Sequence, residues 1–530
     1  MSTHDAIVIG SGHNGLTCAC YLAKAGLKVL VLEQYHSIGG MTNTEELTLP
    51  GFKSDTHAIG YQLANLSPAP KELDLASHGL ELIYPDPNFC HLYPDGSAVS
   101  VWRNIEETYA SIRKVSQADA DTWMSMYDQF LQTKDEIAAS VNSRPSSIAE
   151  QAEQFQKTPA GLDQYRFQLQ SCRSWVEENF ESDEIKALLT SWGAHVGAAP
   201  DDGGSAPFPY LFSMIIQHYG NNMVRGGMRN LPVALAAFLE SHGGEIKTNA
   251  SVKRIVVENN RATAVELATG ESINVGRLVA SNIDPMQLVL GLLGPNAVGD
   301  TIHEKISRLE LGPSNLVIYL ALDSPLNYRA GQEANQTLYG HPTPASIDYF
   351  AEAFRQCRNH YLPASPFTLL CNDSADKSRV PDGRALMKIV VQPVPYLIRG
   401  DATGKISGRT WQEARDPYAD HIIDHLTTNY VPDLRDKIIA RVVHSPIDIE
   451  RLLPSSRHGT VTHGAVVPYQ AGSMRPIPEL GQYRCPIENV YLCGSGSHPG
   501  PGVSMAPGRN AAQVIYRDLD VPFVAERCPT

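Results

Sequence analysis

Three glycines near the start of the chain have a spacing that suits phosphate binding. They are Gly10, Gly12 and Gly15, in the stretch GSGHNG. In a strand-to-helix turn, the first permits the tight turn, the second lets the backbone approach a pyrophosphate, and the third lets helix and strand pack closely. The unpaired N–H groups and positive dipole end of the following helix then face the phosphates. The spacing therefore predicts a dinucleotide site.

The residues around these glycines predict the elements that would hold them. Residues 5–9 form an apolar run typical of a buried strand, residues 14–25 have a helical pattern ending at Gly26, and residues 28–32 form a second β-rich run. This order predicts a βαβ unit, in which the glycine turn belongs. Glu33 closes the second strand, where a carboxylate accepts hydrogen bonds from both ribose hydroxyls. Because it would repel a 2′-phosphate, NADP is disfavoured.

A further glycine pair, Gly39–Gly40, favours FAD over NAD as the dinucleotide. A plain NAD-binding fold does not need this pair, whereas flavoproteins that bind FAD through such a unit commonly carry it. Farther along, residues 225–246 predict a glycine turn and an amphipathic helix, and residues 251–281 predict a β-meander. Val252, at the start of the meander, would meet an adenine through its backbone. We therefore predict FAD as the cofactor.

A third glycine-rich segment follows a predicted strand near the C-terminus, in NVYLCGSGSHPGPGVSMAPGRNAAQVIYRDL. The residues after it are too few for a second nucleotide domain with its own βαβ unit. We expect this segment to return to the first site, which would bring Gly494, Gly502 and Val503 to the cofactor. A helix starting near Ser504 would then stabilise negative charge on a reduced flavin ring through its N-terminal dipole.

The chain resembles the FAD-dependent phytoene desaturase-like family, which includes bacterial carotenoid desaturases and retinol saturase. Within that family it is most similar to the branch typified by pyridine nucleotide-disulfide oxidoreductase domain-containing protein 2. The resemblance rests on GSGHNGLTCACYLAKAGLKVLVLE, GGMRNLPVALAAFLESHGGEI, SPIDIERLLPSSRHGTVTHG and LCGSGSHPGPGVSMAPGRNAA. The chain has Met41 and Thr42 where many relatives place an arginine, and SMAPGRNAA where carotenoid desaturases usually show a serine-glycine before the alanines. These departures argue against carotenoid desaturation and leave FAD binding untouched.

The resemblance implies an α/β fold class, with a Rossmann-type FAD-binding domain like that of glutathione reductase and amine oxidases, interleaved with an α+β substrate domain. We predict that residues 1–65, 225–312 and 485–530 form the FAD-binding domain. Residues 66–224 would form a helix-rich cap, and residues 313–484 a β-rich substrate domain. The apolar run MQLVLGLLG (286–294) leaves two interpretations, an ordinary core helix or a surface for a lipid substrate or a membrane, of which the core helix is favoured.

Composition narrows the choice of partners. The 530-residue chain has a net charge of −14 at pH 7, which disfavours a nucleic-acid partner because phosphate binding needs basic patches. It has no apolar run of the roughly 20 residues that a membrane-spanning helix needs, and its start lacks a signal-peptide pattern. Its nine cysteines show no CxxC pair, so we expect no metal site. We expect a cytoplasmic enzyme, at most peripheral to a membrane, that takes a small apolar substrate; its oligomeric state stays open.

Three histidines are candidate catalytic residues. They are His498, in the loop expected nearest the flavin ring, His57, in the loop after the glycine pair, and His463, in HGTVTHG. Flavin oxidoreductases align a substrate C–H bond with the flavin N5 and often use a base for the paired proton. Tyr469 is a further candidate proton donor. We predict an FAD-dependent oxidoreductase, a desaturase or dehydrogenase that introduces a C=C bond into an apolar or alicyclic substrate by hydride transfer to flavin N5.

Other outcomes on the same scaffold stay open. They are amine oxidation, saturation, redox-neutral isomerisation, and non-catalytic binding of the kind performed by Rab GDP-dissociation inhibitors. The sequence shows no second complete Rossmann unit, so oxygen, a quinone or another diffusible acceptor would take the electrons unless they return to the substrate. Against a binding protein, the chain keeps Glu33 and the C-terminal glycine loop, which are expected together only where FAD is retained.

Overall fold

The computed structural model describes residues 4–372 and 376–523. Its strands are β1 (His4–Ile9), β2 (Val29–Leu32), β3 (Thr44–Glu45), β4 (Ser54–Asp55), β5 (Leu82–Ile83), β6 (Phe89–Leu92), β7 (Ala98–Val101), β8 (Met223–Val224), β9 (Glu245–Lys247), β10 (Val252–Glu258), β11 (Arg261–Leu267), β12 (Ser272–Ser281), β13 (Ser314–Leu322), β14 (Tyr339–Pro342), β15 (Tyr361–Leu362), β16 (Phe367–Asn372), β17 (Ala385–Val394), β18 (Gly400–Asp401), β19 (Ile438–His444) and β20 (Val490–Leu492).

The helices connect and cover these strands. They are α1 (His13–Lys24), α2 (Ala69–Glu72), α3 (Ile105–Arg113), α4 (Gln117–Val141), α5 (Ile148–Gln156), α6 (Pro159–Leu169), α7 (Cys172–Asn179), α8 (Asp183–His195), α9 (Pro207–Tyr219), α10 (Asn230–Ser241), α11 (Pro295–Val298), α12 (Asp300–Ser307), α13 (Gln332–Gln336), α14 (Ile347–Arg358), α15 (Trp411–Asn429), α16 (Leu434–Lys437), α17 (Pro446–Leu452) and α18 (Ala506–Asp518).

The first large sheet has β1 at its centre. Its strand order is β10–β11–β12–β1–β2–β9, and β20 pairs with β12 off this path. Strands β9, β2, β1 and β20 and the second half of β12 run parallel, whereas β10 and β11 pair in antiparallel fashion. The runs in β1 and β2 are apolar throughout because a parallel sheet is buried on both faces. The carboxyl ends of β2, β1, β12 and β20 therefore meet, in that order, at one edge.

Helix α1 carries the glycine turn onto one face of this sheet. It begins directly after Gly12, whose backbone is extended (φ −62°, ψ 161°), and it starts and ends one residue earlier than the sequence pattern predicts. The chain then reverses at Gly26, whose φ of +88° favours glycine. Buried side chains of α1, α10 and α18 form a shared core against β1 and β2. The N-terminus of α1 and the loop before α18 are thus held side by side.

The second large sheet has the order β19–β13–β17–β16–β14–β6–β7. Its pairs are antiparallel, except that β14 and β6 run parallel. Helix α15 packs on it through an apolar core. A separate core joins the sheet to α4 and α7–α9 and contains Trp123, Trp175 and Trp192. The long central strands β13 and β17 are buried almost throughout, as expected for strands covered on both faces.

The apolar run at residues 286–294 forms a π-helix over Gln287–Leu293. Leu288 and Val289 are fully buried in the core beneath the first sheet, whereas Leu290 and Leu293 are partly exposed. Gln287 and Leu292 line a cavity at the carboxyl ends of the parallel strands of the first sheet. Nowhere in residues 4–372 and 376–523 is a helix both long and apolar enough to cross a bilayer.

Candidate functional site

A cavity of about 880 Å³ crosses the carboxyl ends of the parallel strands of the first sheet. Glu33 follows β2, Gly10 follows β1, Asn282 follows β12 and Ser495 lies just beyond β20, and all four line the cavity. Glu33 and Ser495 follow the two outermost of these four neighbouring strands, β2 and β20. The site is therefore elongated, with Glu33 at one end and Ser495 at the other.

The glycine turn leaves no room for side chains. A Cβ atom on Gly12 would lie 2.7 Å from the Asn282 Nδ2 atom, and one on Gly15 would lie 2.3 Å from the Gly10 carbonyl oxygen. Gly10 also has a φ of +92°. Gly10 and Gly12 line the cavity, whereas Gly15 lies beneath it, where helix α1 packs against the turn. The turn thus presents bare backbone to the cavity at the start of α1, as phosphate binding requires.

Glu33 is built into the same turn. Its Oε2 atom accepts hydrogen bonds from the backbone N–H of Ser11 (2.9 Å) and from the Ser11 hydroxyl (2.6 Å), and its Oε1 atom accepts one from the N–H of Tyr35 (2.9 Å). A carboxylate has about four acceptor positions, so Glu33 keeps capacity for a hydroxyl donor from the cavity. The residue is 8% exposed.

The glycine pair packs against the turn. Gly39 donates its N–H to the Ser11 carbonyl at 3.1 Å and forms a parallel bridge with Gly12. A Cβ atom on Gly40 would lie 3.5 Å from the Gly12 Cα atom, so the two backbones approach closely. Gly40 and Met41 line the cavity, whereas Gly39 does not.

Val252 and Ala250 form the cavity wall near Glu33. The Ala250 N–H donates to the Glu33 carbonyl oxygen at 2.8 Å. This bond joins the segment leading into β10 to the end of β2. The two predicted residues Glu33 and Val252 are therefore brought to the same end of the site, where an adenosine would lie in a dinucleotide-binding fold.

The C-terminal loop closes the opposite end. A Cβ atom on Gly494 would lie 2.5 Å from the Asn282 carbonyl oxygen, so this loop packs tightly on the end of β12. Gly502 has a φ of +111°, and Val503 is buried in the core of the first sheet. None of Gly494, Gly502 and Val503 lines the cavity; Ser495 does, and its hydroxyl accepts a hydrogen bond from Asn14 Nδ2 at 3.2 Å.

The three candidate histidines occupy different places. His463 lines the cavity and has a left-handed backbone with a φ of +49°, a conformation that costs free energy and is concentrated at functional sites. Burial lowers the pKa of His463 to about 4, and nearby Arg475 and His13 add to the effect. Its imidazole is therefore neutral at pH 7.

His498 and His57 do not line the cavity. His498 Nε2 lies 3.1 Å from the Ser140 carbonyl oxygen in α4, and the His498 carbonyl accepts a hydrogen bond from Tyr483. His57 lies over the second sheet, where Lys388 Nζ donates to its carbonyl oxygen. Burial lowers the pKa of His57 well below its usual value, with Lys388 and His444 contributing.

Tyr469, the further candidate proton donor, lies on the surface. It is 59% exposed and its hydroxyl donates to the Glu310 carboxylate.

Among the cavity residues that the sequence patterns did not indicate are His13, Asn14 and Asn282. His13 and Asn14 occupy the variable positions of the glycine fingerprint, so attention to them, and not only to the glycines, would have found them. Burial lowers the pKa of His13 to about 4, against an opposing hydrogen bond to the Gly502 backbone. Asn282 directly follows β12, and only the pairing of β12 with β1 reveals that it meets Gly12.

Several polar atoms along the cavity lack a partner within residues 4–372 and 376–523. These buried atoms are His13 Nε2, Asn14 Oδ1, Ser456 Oγ and His463 Nδ1. Buried polar groups are nearly always hydrogen-bonded, so a ligand rich in donors and acceptors suits this site. The elongated shape, the bare glycine turn at a helix N-terminus and the acceptor at Glu33 all fit a dinucleotide such as FAD.

Comparison with known proteins gives matches over almost the whole chain. The model of the family "Flavin containing amine oxidoreductase" matches residues 15–515. The mouse protein named pyridine nucleotide-disulfide oxidoreductase domain-containing protein 2 is 31% identical over 97% of this chain and 94% of its own length. One of the limonene dehydrogenase subunits of Castellaniella defragrans is 30% identical, with coverage of 97% and 95%. The lycopene-forming phytoene desaturase of Pseudescherichia vulneris is 25% identical, with coverage of 97% and 99%.

A solved structure shares the fold. Cyclohexylamine oxidase from Brevibacterium oxydans aligns with a TM-score of 0.58 at 17% identity, covering 98% of this chain and 100% of that chain. At this identity the likeness concerns the fold. It confirms the predicted α/β class with an FAD-type Rossmann domain and a substrate domain.

Proposed function

The chain belongs to the family of flavin-containing amine oxidoreductases, and from that premise we propose that it binds FAD in the cavity and introduces a C=C bond into an apolar or alicyclic substrate. The observation that carries the cofactor assignment is the placement of Glu33 and Ser495 at opposite ends of one cavity across four parallel strands. A bare glycine turn lies between them. This arrangement has the acceptor and the helix N-terminus that FAD needs.

When bound, FAD supplies the two-electron acceptor that takes a hydride from a substrate C–H bond. Formation of a C=C bond also releases a proton from the neighbouring carbon, which a base must accept. His463 faces the cavity as a neutral imidazole with no partner at Nδ1 in the described part of the chain. The unprotonated nitrogen of this ring accepts the proton. We assign His463 this role ahead of His57 and His498, whose side chains do not line the cavity.

An apolar substrate is supported by the charge distribution of the site. Among the lining residues of the described chain, Glu33 alone is charged, and it belongs to the end away from His463. An amine substrate binds as an ammonium ion or must lose its proton, so it benefits from a nearby carboxylate. The part of the cavity lined by His463 and Ser495 has no carboxylate. The names of two relatives, a limonene dehydrogenase subunit and a phytoene desaturase, also favour a hydrocarbon substrate.

The experiment that tests this function is an anaerobic titration of the purified flavoprotein. We would add limonene, phytoene in detergent micelles, and cyclohexylamine to separate samples and follow the visible absorbance of the flavin. A hydrocarbon should bleach the flavin and yield a product lighter by two hydrogen atoms, and cyclohexylamine should not. Bleaching by the amine alone would contradict the proposal and favour amine oxidation. An isomerised hydrocarbon of unchanged mass would indicate the redox-neutral alternative.

A further inference from the structure

Arg475 is a fully enclosed arginine beside the Ser495 end of the cavity. The residue is 3% exposed. Among the residues that the structure describes, its guanidinium donates only to backbone carbonyl oxygens. These bonds run from Nε to Ser495 (3.2 Å), from Nη1 to Ala465 and Gln470 (both 3.3 Å), and from Nη2 to Thr462 (2.6 Å), Gly464 (3.5 Å) and Ser495 (3.1 Å). The Arg475 side chain therefore binds three separate segments of the chain, at 462–465, 470 and 495.

This guanidinium has no acidic partner in the described ranges. No carboxylate of residues 4–372 and 376–523 lies within 4.0 Å of its nitrogen atoms, whereas buried Arg509 pairs with Glu72 at 2.8 Å and buried Arg379 pairs with Asp55 at 3.1 Å. Burial lowers the pKa of Arg475 only to about 10, so it stays charged at pH 7. An uncompensated buried charge is costly, and carbonyl dipoles offset only part of that cost. The presence of an unpaired buried charge at Arg475 therefore indicates a functional role for this residue.

The bonding pattern links Arg475 to both walls of the cavity. Thr462 and Gly464 flank His463, and one nitrogen of the guanidinium holds the carbonyl oxygens of both. This grip accounts for the left-handed backbone at His463, because the carbonyls on either side of it are fixed. The same nitrogen reaches Ser495 on the opposite wall. Arg475 thus ties the His463 loop to the loop after β20.

We propose that Arg475 is a positioning and electrostatic residue for the reactive ring of the cofactor: it clamps the His463 loop to the Ser495 loop and leaves an unneutralised positive charge beside the ring. The inference rests on the proposed binding of FAD in this cavity. A two-electron reduction that adds one proton leaves negative charge on the flavin ring. A fixed cation in a low-dielectric site stabilises that charge. The bound cofactor is therefore easier to reduce than it would be without Arg475.

The test is the midpoint potential of bound FAD, measured by anaerobic equilibration with a reference dye. The variants are Arg475→Met, which removes both charge and clamp, and Arg475→Lys, which keeps the charge but cannot reach five carbonyl oxygens. Arg509→Met is the matched control, since it removes a buried arginine whose charge is neutralised by Glu72. We expect Arg475→Met to lower the preference for reduced over oxidised flavin at least tenfold, which is about 30 mV for a two-electron couple. Arg475→Lys and Arg509→Met should stay within threefold of wild type.

Two results would overturn the inference. One is an Arg475→Met protein whose potential stays within threefold of wild type. The other is an Arg475→Lys protein whose potential falls tenfold, since the charge is then not the cause; this second result decides the matter even if the methionine variant does not fold. A wild-type protein that takes up no FAD would instead refute the proposed function. The two failures are therefore distinguishable.

Discussion

Glu33 and Ser11 are joined by two hydrogen bonds to a single carboxylate oxygen, one from the Ser11 backbone N–H at 2.9 Å and one from its hydroxyl at 2.6 Å. These bonds tie the end of β2 to the glycine turn after β1. The glycine turn and the Glu33 carboxylate are therefore held together as one unit. The remaining acceptor capacity of Glu33 faces the cavity, where the proposed cofactor would use it.

Replacing Glu33 should weaken FAD binding. We expect Glu33→Ala to raise the Kd for FAD by about tenfold to a hundredfold, since hydrogen bonds to charged groups contribute about 1.5–3 kcal/mol. Glu33→Gln keeps an acceptor for the Ser11 N–H and should show a smaller loss. Fluorescence titration of the apoprotein with FAD measures both constants. Wild-type affinity in Glu33→Ala would count against the placement of the cofactor.

Replacing Gly12 should block the cofactor without disturbing the fold. An alanine Cβ would lie 2.7 Å from Asn282 Nδ2, so the end of that side chain must shift at the cavity wall. The extended backbone of Gly12 itself accepts alanine. We expect Gly12→Ala to lose FAD at least a hundredfold while the Tm of the apoprotein changes little. Gly291→Ala is the control, because a Cβ there meets nothing within 4 Å. Equal FAD affinity in the two variants would refute the role of the turn.

His463 and His498 should differ sharply when they are replaced. With a substrate that bleaches the flavin, we expect His463→Gln to slow the anaerobic reduction by about a hundredfold to ten-thousandfold, as for loss of a general base, and His498→Gln to have little effect. Stopped-flow absorbance measures both rates. The reverse order would transfer the role to His498.

The rate of anaerobic flavin reduction should fall only at low pH. An imidazole accepts a proton only when it is neutral, and the pKa of His463 is lowered to about 4. The reduction rate should therefore be level from pH 8 to about 5 and should fall as the pH drops through about 4. A rate that falls already through pH 6.5 would show that His463 is not held neutral by burial.

Acid should destabilise the fold through its buried histidines. Burial lowers the pKa of His91 to about 3, far below the value of about 6.5 in an unfolded chain. The unfolded state therefore binds more protons, and the free energy of unfolding falls as the pH drops below 6.5. At pH 5 the loss from His91 is about 2 kcal/mol relative to pH 7.5. Urea titrations of wild type and His91→Gln at the two pH values should show a smaller pH effect in the variant; equal effects would contradict this.

The fold class and the family were predictable from local patterns. The glycine spacing, the flanking apolar runs and Glu33 lie within one short stretch, so the interactions that form the βαβ unit are between residues close in sequence. The family and fold predictions are confirmed. The division into five segments and the roles of individual site residues stay predictions. The fold does draw the first sheet from residues 4–32, 245–281 and 490–492.

Contacts between segments that are distant in sequence could not be predicted from the sequence patterns. Asn282 reaches Gly12 only because β12 pairs with β1, and Arg475 reaches Thr462 and Ser495 only in the folded chain. The direction in which a loop side chain points could not be predicted either. His498 lies in the C-terminal glycine-rich loop, but its ring faces Ser140. His463 faces the cavity, and the carbonyls on either side of it are held by Arg475. Loop histidines with similar neighbours in sequence therefore have different surroundings.

The visible absorption spectrum of the purified protein, repeated after anaerobic addition of NADPH, tests the central claim most directly. The account predicts flavin bands that are restored by FAD after any loss on purification and that NADPH leaves oxidised. A colourless protein that takes up no FAD would contradict the cofactor assignment. Rapid bleaching by NADPH would contradict oxidation of a substrate as the physiological direction and would point to a saturase.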